Sequence, residues 1–544
     1  MSLLSHESRF SKAPVNNISR SIFDRSNSLV TSFSAGKLVP IFLDEVIPGD
    51  TCTMDVSALV RMATPLYPVM DTAWCDLHFF FVPARLVWDN WKYFMGESKD
   101  AWDSAIDYEV PKVRVYPRPD NVSGYFGLPL GFADYSEPWL DVNALPFRAY
   151  QLIWNEWFRD QNLQDSVLIN RGDSLSTNED YDIVLPVNKY HDYFTSCLPQ
   201  PQKGASVNIP IEVPGFSPVV GTTNYHNMGY VQIGGQSELP GLRALYSQSN
   251  TDGTASYLAI GNPASGNVAE RASKSNLEVP LGEVISVGSI NQLRQAFAVQ
   301  RLLERDARGG TRYRELIKAH FGVDNGDLRM QVPEYLGGAH IPINITQVVQ
   351  QSSTASEPSP LGEVGAMSKT ADSASLFTKS FTEHGFILGF VSVRTDHTYL
   401  QGVPRLFDRN SRYDYYWPEL ANIGEQAVKT REIYGKADPS EVFGYQEAWA
   451  DYRYKPNQCT GRMAFTSYES EDNKQLSPWH YADYYSDVPR LSDTWIRETD
   501  ANVARTLAVS NTELFDQFIA NFYFKARWAR PMPVYSIPGL TGHI

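Results

Sequence analysis

The sequence is poor in cysteine and has no long apolar run. Its four cysteines, Cys52, Cys75, Cys197 and Cys459, lie far apart in a chain of 544 residues and form no C-x-x-C pair. This argues against a zinc ribbon, a dithiol redox motif and a disulfide scaffold, and favours a reducing compartment. No 18 consecutive residues are apolar, so no membrane span is predicted. Met1–Pro40 also lacks the apolar segment of a secretory signal.

The chain also has little charge, and its acidic residues outnumber its basic ones. Charged residues make up 20% and the formal net charge is −15, whereas ordinary soluble chains are about 25% charged. Proteins that act mainly through phosphate contacts are basic, so a sequence-specific nucleic-acid regulator is disfavoured. Any nucleic-acid contact is expected at local basic patches. Aromatic residues make up 13%, which excludes wholesale disorder.

What the sequence does contain is a set of strand patterns near both ends. Phe522, Phe524, Ala526 and Trp528 alternate with polar residues, which predicts a half-buried strand over residues 520–530. Further strands are predicted at 38–47, 51–62, 74–82 and 382–394, the last buried on both faces. Helices are predicted at 89–94, 146–158 and 291–308. If the first and last strands share a sheet, a two-sheet Greek-key sandwich with large insertions results.

Two polar segments interrupt this pattern. Gly215 to Ile290 is rich in Gly, Ser, Thr and Asn and is far longer than an ordinary connection. It is interpreted as an exposed surface insertion, and such loops bind partners more often than they pack. A functionless excursion remains the alternative. Residues 350–375 are rich in serine and are predicted to form a flexible loop.

Two basic features are candidates for facing nucleic acid. Residues 1–37 form a predicted basic N-terminal arm, which either frays or becomes ordered on a partner. The last predicted strand interleaves bases with aromatic rings, the combination that single-strand binding uses, although a solvated face is the alternative. The candidate residues are Arg9, Lys12, Arg20, Arg25, Lys525, Arg527 and Arg530.

No motif indicates catalysis. The ten histidines are scattered without ligand spacing, so we expect no catalytic residue, no metal, no cofactor and no enzyme activity. Carboxylates beside tryptophans, at Glu137/Trp139 and Glu447/Trp449/Asp451, leave one alternative open. That alternative is a β-sandwich carbohydrate-binding or glycoside-hydrolase protein, which would need two carboxyls at a defined separation.

Two dense aromatic patches, Arg412–Trp417 and Tyr481–Tyr485, bear on self-association. Aromatic residues are enriched at protein interfaces and in their energetic hot spots. Together with the low charge, the patches fit a chain that buries surface against copies of itself. Burial in the core of one chain is the competing interpretation.

Several long strings of residues resemble the major capsid proteins of microviruses, in the gokushovirus branch of small single-stranded DNA phages. The resemblance covers nearly the whole chain and is least specific at Gly215 to Ile290. The strings that carry it are His78–Pro83 through Met95–Glu97, Gln300–Tyr313, Pro333–Gly338, Thr395–Gly402 and Phe443–Trp449.

The resemblance implies a mainly β fold: a viral jelly-roll β-sandwich of two antiparallel sheets, with large inserted loops and several short helices, as a single domain over residues 38–544. It implies identical subunits in a T=1 icosahedral shell around a circular single-stranded DNA genome, with a small basic internal DNA-binding viral protein. The location would be the virion, assembled in the host bacterial cytoplasm. In that branch an insertion forms threefold protrusions that contact the host cell-surface receptor, and Gly215 to Ile290 is similar to it in composition.

Overall fold

The computed structural model describes most of the chain. Between residues 216 and 280, and at 290–292, it describes the backbone of strands and of a helix start only. The described ranges are 19–98, 108–130, 139–176, 181–204, 216–218, 230–231, 243–249, 256–261, 268–271, 278–280, 290–310, 312–324, 326, 331–349, 364–464, 476–508 and 515–535.

The described strands, in chain order, are β1 (Ser21–Asp24), β2 (Asn27–Phe33), β3 (Val39–Val46), β4 (Thr51–Met62), β5 (Ala73–Pro83), β6 (Lys112–Val115), β7 (Leu140–Asn143), β8 (Phe216–Pro218), β9 (Tyr230–Val231), β10 (Arg243–Ser249), β11 (Ser256–Gly261), β12 (Val268–Arg271), β13 (Glu278–Pro280), β14 (Glu334–Pro342), β15 (Ile345–Val349), β16 (Val364–Ser368), β17 (Thr370–Ser380), β18 (Gly385–Thr395), β19 (Thr398–Tyr399), β20 (Glu425–Lys429), β21 (Val442–Glu447), β22 (Asn457–Gln458) and β23 (Phe518–Arg530). The described helices are α1 (Trp91–Phe94), α2 (Val122–Tyr125), α3 (Leu145–Ile153), α4 (Ile290–Arg308), α5 (Tyr313–Phe321), α6 (Ala450–Arg453), α7 (Asp493–Ile496) and α8 (Ala501–Ala504).

The chain divides into two compact units. One consists of Met1–Lys203 and Glu304–Ile544, and the other of Gly204–Leu303. In the second unit β12, β11, β10 and β9 form an antiparallel sheet, and β13 pairs with β8. The exposed insertion predicted at Gly215 to Ile290 falls inside this unit, and its role at a shell surface stays a prediction.

Two antiparallel sheets build the first unit. The first sheet has the order β1-β23-β4-β17, with β2 also paired to β23, and the second sheet has the order β14-β5-β18-β3. Counting β2, β3, β4, β5, β14, β17, β18 and β23 as eight strands, the sheets run 1-8-3-6 and 5-4-7-2. This is the strand order of a jelly roll made of two Greek keys. The predicted viral jelly-roll β-sandwich is confirmed.

The last strand joins the two ends of the chain. Strand β23 lies between the N-terminal strands and β4, with Phe522 opposite Leu29 on one side and Ala58 on the other. Its residues are alternately buried and exposed, as the sequence predicts. Phe524 faces the second sheet, and its ring centre lies 5.1 Å from that of Phe42. Burying one such side chain stabilises a fold by about 1.5–3 kcal/mol.

Strand β18 has no exposed face, because cores lie on both sides of it. Ile387 and Val391 join the core between the sheets, while Leu388 and Phe390 join a second core outside the second sheet. Helix α3 covers that outer face and buries Tyr150, whose hydroxyl donates to the Leu38 carbonyl at 3.0 Å. Strands covered on both faces are continuously apolar, which explains the missing alternation.

Two predicted boundaries need correction. Ser21–Phe33 was assigned to the arm but forms β1 and β2, because their apolar residues complete the first sheet beside β23. Residues 364–375 were assigned to a flexible loop but belong to β16 and β17. Small polar residues suit β17 because its outer face is solvated, and pairing with β4 decides its conformation. Residues 1–18 and 350–363 lie outside the described residues.

Candidate assembly and nucleic-acid interfaces

The solvent face of β23 displays a short basic row. Lys525 and Arg527 are exposed there, as is the ring of Tyr523. They point outward because the residues between them, Phe524 and Ala526, fill the core, and side chains alternate along a strand. Both cations therefore lie on the solvent face that the alternation predicts, and their contact with nucleic acid stays a prediction.

Arg530 at the end of β23 is less available. It lies 3.2 Å from Asp50 and donates to the Glu45 carbonyl at 2.7 Å. Its guanidinium also lies over Trp528, 4.3 Å from the ring centre. These contacts give Arg530 a structural role at the sheet edge in addition to any contact with a ligand.

Of the four N-terminal candidates for contact with nucleic acid, two lie within the described residues. Arg9 and Lys12 lie outside the described residues. Arg20 donates to Thr51 at 3.2 Å, and Arg25 lies 3.0 Å from Asp44. Since β1 pairs with the end of β23, the fold brings Arg20 and Arg25 close to the basic row although they are about 500 positions away in sequence.

Carboxylates partly neutralise this basic row. Asp55 lies 3.8 Å from Lys525 on the neighbouring strand. Hydrogen bonds from Ser26 hold the pKa of Asp24 below its ordinary value, and the charges of Arg527 and Lys525 lower this pKa further. Strong single-strand binding would therefore need additional positive charge from another source.

A second feature is a cluster of exposed rings and aliphatic side chains, which we call the aromatic surface. It is built on short 3-10 turns at Arg405–Asp408, Arg412–Asp414 and Pro418–Leu420 and on α6. Its members, each more than a third exposed, are Leu406, Phe407, Tyr413, Tyr415, Tyr416, Trp417, Tyr452 and Tyr454.

Ion pairs hold the aromatic surface in place. Arg409 binds Asp451 and donates to the Tyr452 hydroxyl at 2.7 Å. Asp408 accepts from Lys429 at 2.5 Å and from Arg431 at 3.2 Å. The turns are therefore fixed to β20 and α6, and a fixed apolar surface can form a protein interface without a large ordering cost.

The structure separates the two aromatic patches that the sequence treats alike. Arg412–Trp417 is exposed and belongs to the aromatic surface, whereas Tyr481 is fully buried. Leu406 and Phe407 were missed by the sequence analysis. The turn-forming residues Gly402 and Pro404 just before them were the signal that could have placed them in an exposed loop.

Beneath these loops lies a buried ion cluster of Lys189, His397, Asp483 and Glu498. His397 donates from Nδ1 to Asp483 at 2.8 Å and from Nε2 to Glu498 at 2.9 Å. Lys189 lies 3.5 Å from Asp483. Burial alone lowers the pKa of His397, but the two carboxylates outweigh it and raise this pKa to about 10. The cluster joins four distant segments, one of which leads to Tyr399 under the aromatic surface.

A cysteine and a histidine lie close together in the described part of the chain, but they are not arranged for nucleophilic catalysis. Cys459 lies 3.8 Å from Nε2 of His480, but that nitrogen donates to the Met463 carbonyl at 3.0 Å, because Nδ1 accepts from the Ala482 amide. The imidazole therefore cannot take the thiol proton. Burial also raises the pKa of Cys459.

The carboxylates singled out beside tryptophans have other partners. Glu447 pairs with Arg453 at 2.6 Å and Asp451 pairs with Arg409, while Glu137 lies outside the described residues. Within the described ranges no three His, Cys, Asp or Glu side chains gather so that they could hold a metal ion. Nor does that part of the chain contain a helix with the length and apolar character needed to cross a bilayer.

Comparison with known proteins gives one consistent result. The family described as Capsid protein (F protein) matches residues 11–540. Capsid protein VP1 of Bdellovibrio phage phiMH2K is 40% identical over 543 residues, covering 98% of both chains. Capsid protein VP1 of Chlamydia phage 1 is 39% identical over 604 residues, again covering 98% of both. Capsid protein VP1 of Spiroplasma virus 4 is 38% identical, covering 98% of this chain and 97% of its own.

Proposed function

This chain belongs to the phage capsid protein (F protein) family, and we propose that its copies close into a T=1 icosahedral shell around a circular single-stranded DNA genome. Its role is structural: it is a major capsid protein, a subunit of a virion shell made of identical copies. Assembly of the shell in the cytoplasm of a host bacterium is part of the proposal.

The observation that supports the shell most directly is the aromatic surface on a jelly-roll subunit. Contiguous exposed apolar side chains on a soluble protein mark interaction sites. Rings that are fixed before binding serve as interface anchors, because little side-chain entropy is lost on contact. When such a surface meets a different surface of the next copy, repeated rotation closes the assembly.

The direct test is sedimentation and negative-stain microscopy of material purified from infected cells or from co-expression. Uniform spherical particles with nuclease-protected DNA are expected. A slowly sedimenting monomer, obtained even with the other viral proteins present, would refute the shell.

A matched pair of variants tests the aromatic surface itself. Phe407 is 76% exposed in the aromatic surface, and Phe321 is 78% exposed on α5 outside it. Phe407→Ser should lower the yield of shells, because interface anchors each contribute about 2 kcal/mol or more. Phe321→Ser should have the smaller effect, and both subunits should melt as the wild type does. Equal assembly by the two variants would exclude the aromatic surface as an anchor.

The proposed DNA contacts involve the basic row Lys525 and Arg527, together with Arg20, Arg25 and the residues of the arm. What supports them is the pairing of β1 with β23, which brings Arg20 close to the solvent face of the first sheet. Arg25 lies at the edge of that sheet, where it contacts Asp44 and the ring of Trp528. The net charge of −15 disfavours neutralisation of the genome by this chain alone. A small basic internal viral protein is therefore proposed as a partner.

Gly215 to Ile290 is proposed as the external element that contacts the host receptor, and its place within a compact unit separate from the two sheets supports this. Deletion of this segment should leave shells intact and abolish attachment to host cells. Loss of shells despite normal folding of the subunit would contradict the external placement.

A further inference from the structure

A cleft of about 560 Å3 opens on the outer side of the second sheet, away from the basic row on the first. Its volume is within the range of small-molecule sites. Side chains of β5 and β14, the turn after α3, the segment 188–191 and the start of α5 line it. All of these belong to the first compact unit.

One side of the cleft is a wall of rings, which we call the ring wall. Its members are His78, Trp157, Phe158 and Tyr335, and Phe80 lies behind them. Ring centres of neighbours in the wall lie 5.6–6.1 Å apart, in tilted or edge-on arrangements. Burial lowers the pKa of His78 to about 4, so this ring is uncharged at neutral pH. A flat apolar ligand could stack on such a wall.

Two adjacent arginines, Arg159 and Arg312, also line the cleft. The guanidinium of Arg312 donates to the Arg159 carbonyl at 3.0 Å, so the two residues are in contact. Arg312 has carboxylate partners, Glu315 at 3.2 Å and Glu156 at 3.8 Å. Arg159 has no ion-pair partner among the described residues and donates only to the Gln164 carbonyl at 2.8 Å.

Other charges on the cleft are already compensated. Arg394 binds Asp76 and Lys189 lies 3.5 Å from Asp483. The carboxylate of Asp160 accepts from the amides of Asn162 at 2.8 Å and Leu163 at 3.2 Å. The remaining carboxylate, that of Glu315, is taken up by Arg312. Among the described residues, Arg159 is therefore the cation of the cleft that has no carboxylate at ion-pair distance, although the charges of Glu156, Asp160 and Asp165 still act on it.

Some polar atoms close to Arg159 also lack hydrogen-bond partners. The Nε atoms of Arg159 and Arg312 and Oδ1 of Asn188 are buried without a hydrogen-bond partner. These atoms have almost no accessible surface, so a ligand in the cleft would meet the other guanidinium nitrogens of the two arginines. Burial lowers the pKa of Arg159 and the charge of Arg312 lowers it further, while Glu156, Asp160 and Asp165 act in the opposite direction. A bound anion would add to the effect of these carboxylates and favour the charged guanidinium.

We propose that this cleft binds a nucleotide, with the phosphate against Arg159 and Arg312 and the base on the ring wall. Arginine forks bind phosphate oxygens in fixed geometry, and aromatic faces stack on any base. The nucleotide is either free in solution or one unit of a single strand, and both present the same phosphate and base. The proposal does not depend on the shell, since one subunit contains the whole cleft.

The test is calorimetric titration of the full-length protein with deoxyadenosine 5′-monophosphate, deoxyadenosine and inorganic phosphate. The monophosphate should bind at least about tenfold more tightly than either part alone, as expected for a hydrogen-bonded charged contact added to stacking. Arg159→Gln should weaken the monophosphate about tenfold and leave deoxyadenosine unchanged. Tyr335→Leu should weaken both nucleoside compounds and leave phosphate unchanged. Arg114→Gln, an exposed arginine paired with Asp141 outside the cleft, is the matched control.

A titration with a single-stranded oligodeoxyadenylate separates the two sources. If Arg159→Gln weakens the oligomer as it weakens the monophosphate, the cleft holds a unit of the strand. If only the monophosphate is affected, the cleft holds a free nucleotide. Absence of monophosphate binding up to roughly 10 mM, or equal affinities of the Arg159→Gln and Arg114→Gln variants, would overturn the proposal. Shell formation by the same protein would show that the capsid function is unaffected by this failure.

Discussion

Replacing His397 by glutamine should destabilise the subunit by about 3–5 kcal/mol, the usual cost of removing one partner from a buried ion pair. The ring is almost fully buried and donates from both nitrogens to carboxylates, which requires the protonated form. Glutamine would leave Asp483 and Glu498 with Lys189 as their remaining cation in the cluster.

The shifted pKa of His397 also predicts the direction in which the stability of the subunit changes with pH. Burial lowers the pKa of His397, but the two carboxylates raise it to about 10 in the folded chain, compared with about 6.5 when unfolded. The stabilisation is therefore complete below about pH 6.5 and is lost as the pH rises toward 10. In that window the folded state holds one proton more, so the free energy of unfolding falls by up to about 1.4 kcal/mol per pH unit.

Denaturant unfolding of isolated subunits between pH 6 and 10 measures both quantities. The His397→Gln variant should be less stable at pH 6.5 and should show a flatter pH dependence than the wild type. His191→Gln, an exposed histidine two residues from the cluster's Lys189, is the control and should change neither. A His397→Gln variant within about 0.5 kcal/mol of the wild type, with the same pH slope, would falsify the reasoning.

Two further predictions concern packing and charge. A Cβ on Gly402 would lie 1.9 Å from the Glu432 carbonyl oxygen, so Gly402→Ala should cost at least about 1–3 kcal/mol in thermal or denaturant unfolding. Gly365→Ala, with its nearest neighbour at 3.8 Å, should be close to neutral, and equal effects would contradict the steric argument. Replacing both Lys525 and Arg527 by glutamine should weaken the salt dependence of single-strand binding. The slope of the logarithm of the binding constant against the logarithm of the salt concentration should become shallower by about 0.7 for each lost phosphate contact. An unchanged slope would remove these two residues from the DNA interface.

Particular strands show how far sequence reasoning reached. The period of two in β23 and the continuous apolar run of β18 were sufficient, because each pattern reports directly which faces are covered. Strand β17 was missed because its outer face is solvated and its residues are small, so that composition alone resembles a loop. Pairing with β4 supplies the missing information, and pairing between distant segments cannot be derived from local propensity.

Some residues of the candidate sites could likewise be identified from the sequence, and others could not. The sequence identified Lys525 and Arg527 because alternation assigns their face, and it identified the exposed rings at Arg412–Trp417 without deciding whether they were buried. Nothing in the sequence connects Arg159 with Arg312, or His397 with Asp483 and Glu498. These groups meet only after the chain has folded.

The sequence by itself therefore determined the fold class and, through its resemblance, the family, because strand periodicity and long residue strings are local properties. Only the tertiary structure decided which aromatic patch is exposed, which arginine lacks a partner and which charges share a buried cluster. The physical reason is that burial and electrostatic partnership depend on distances between residues far apart in the chain, and those distances exist only after the two sheets have closed over their common core.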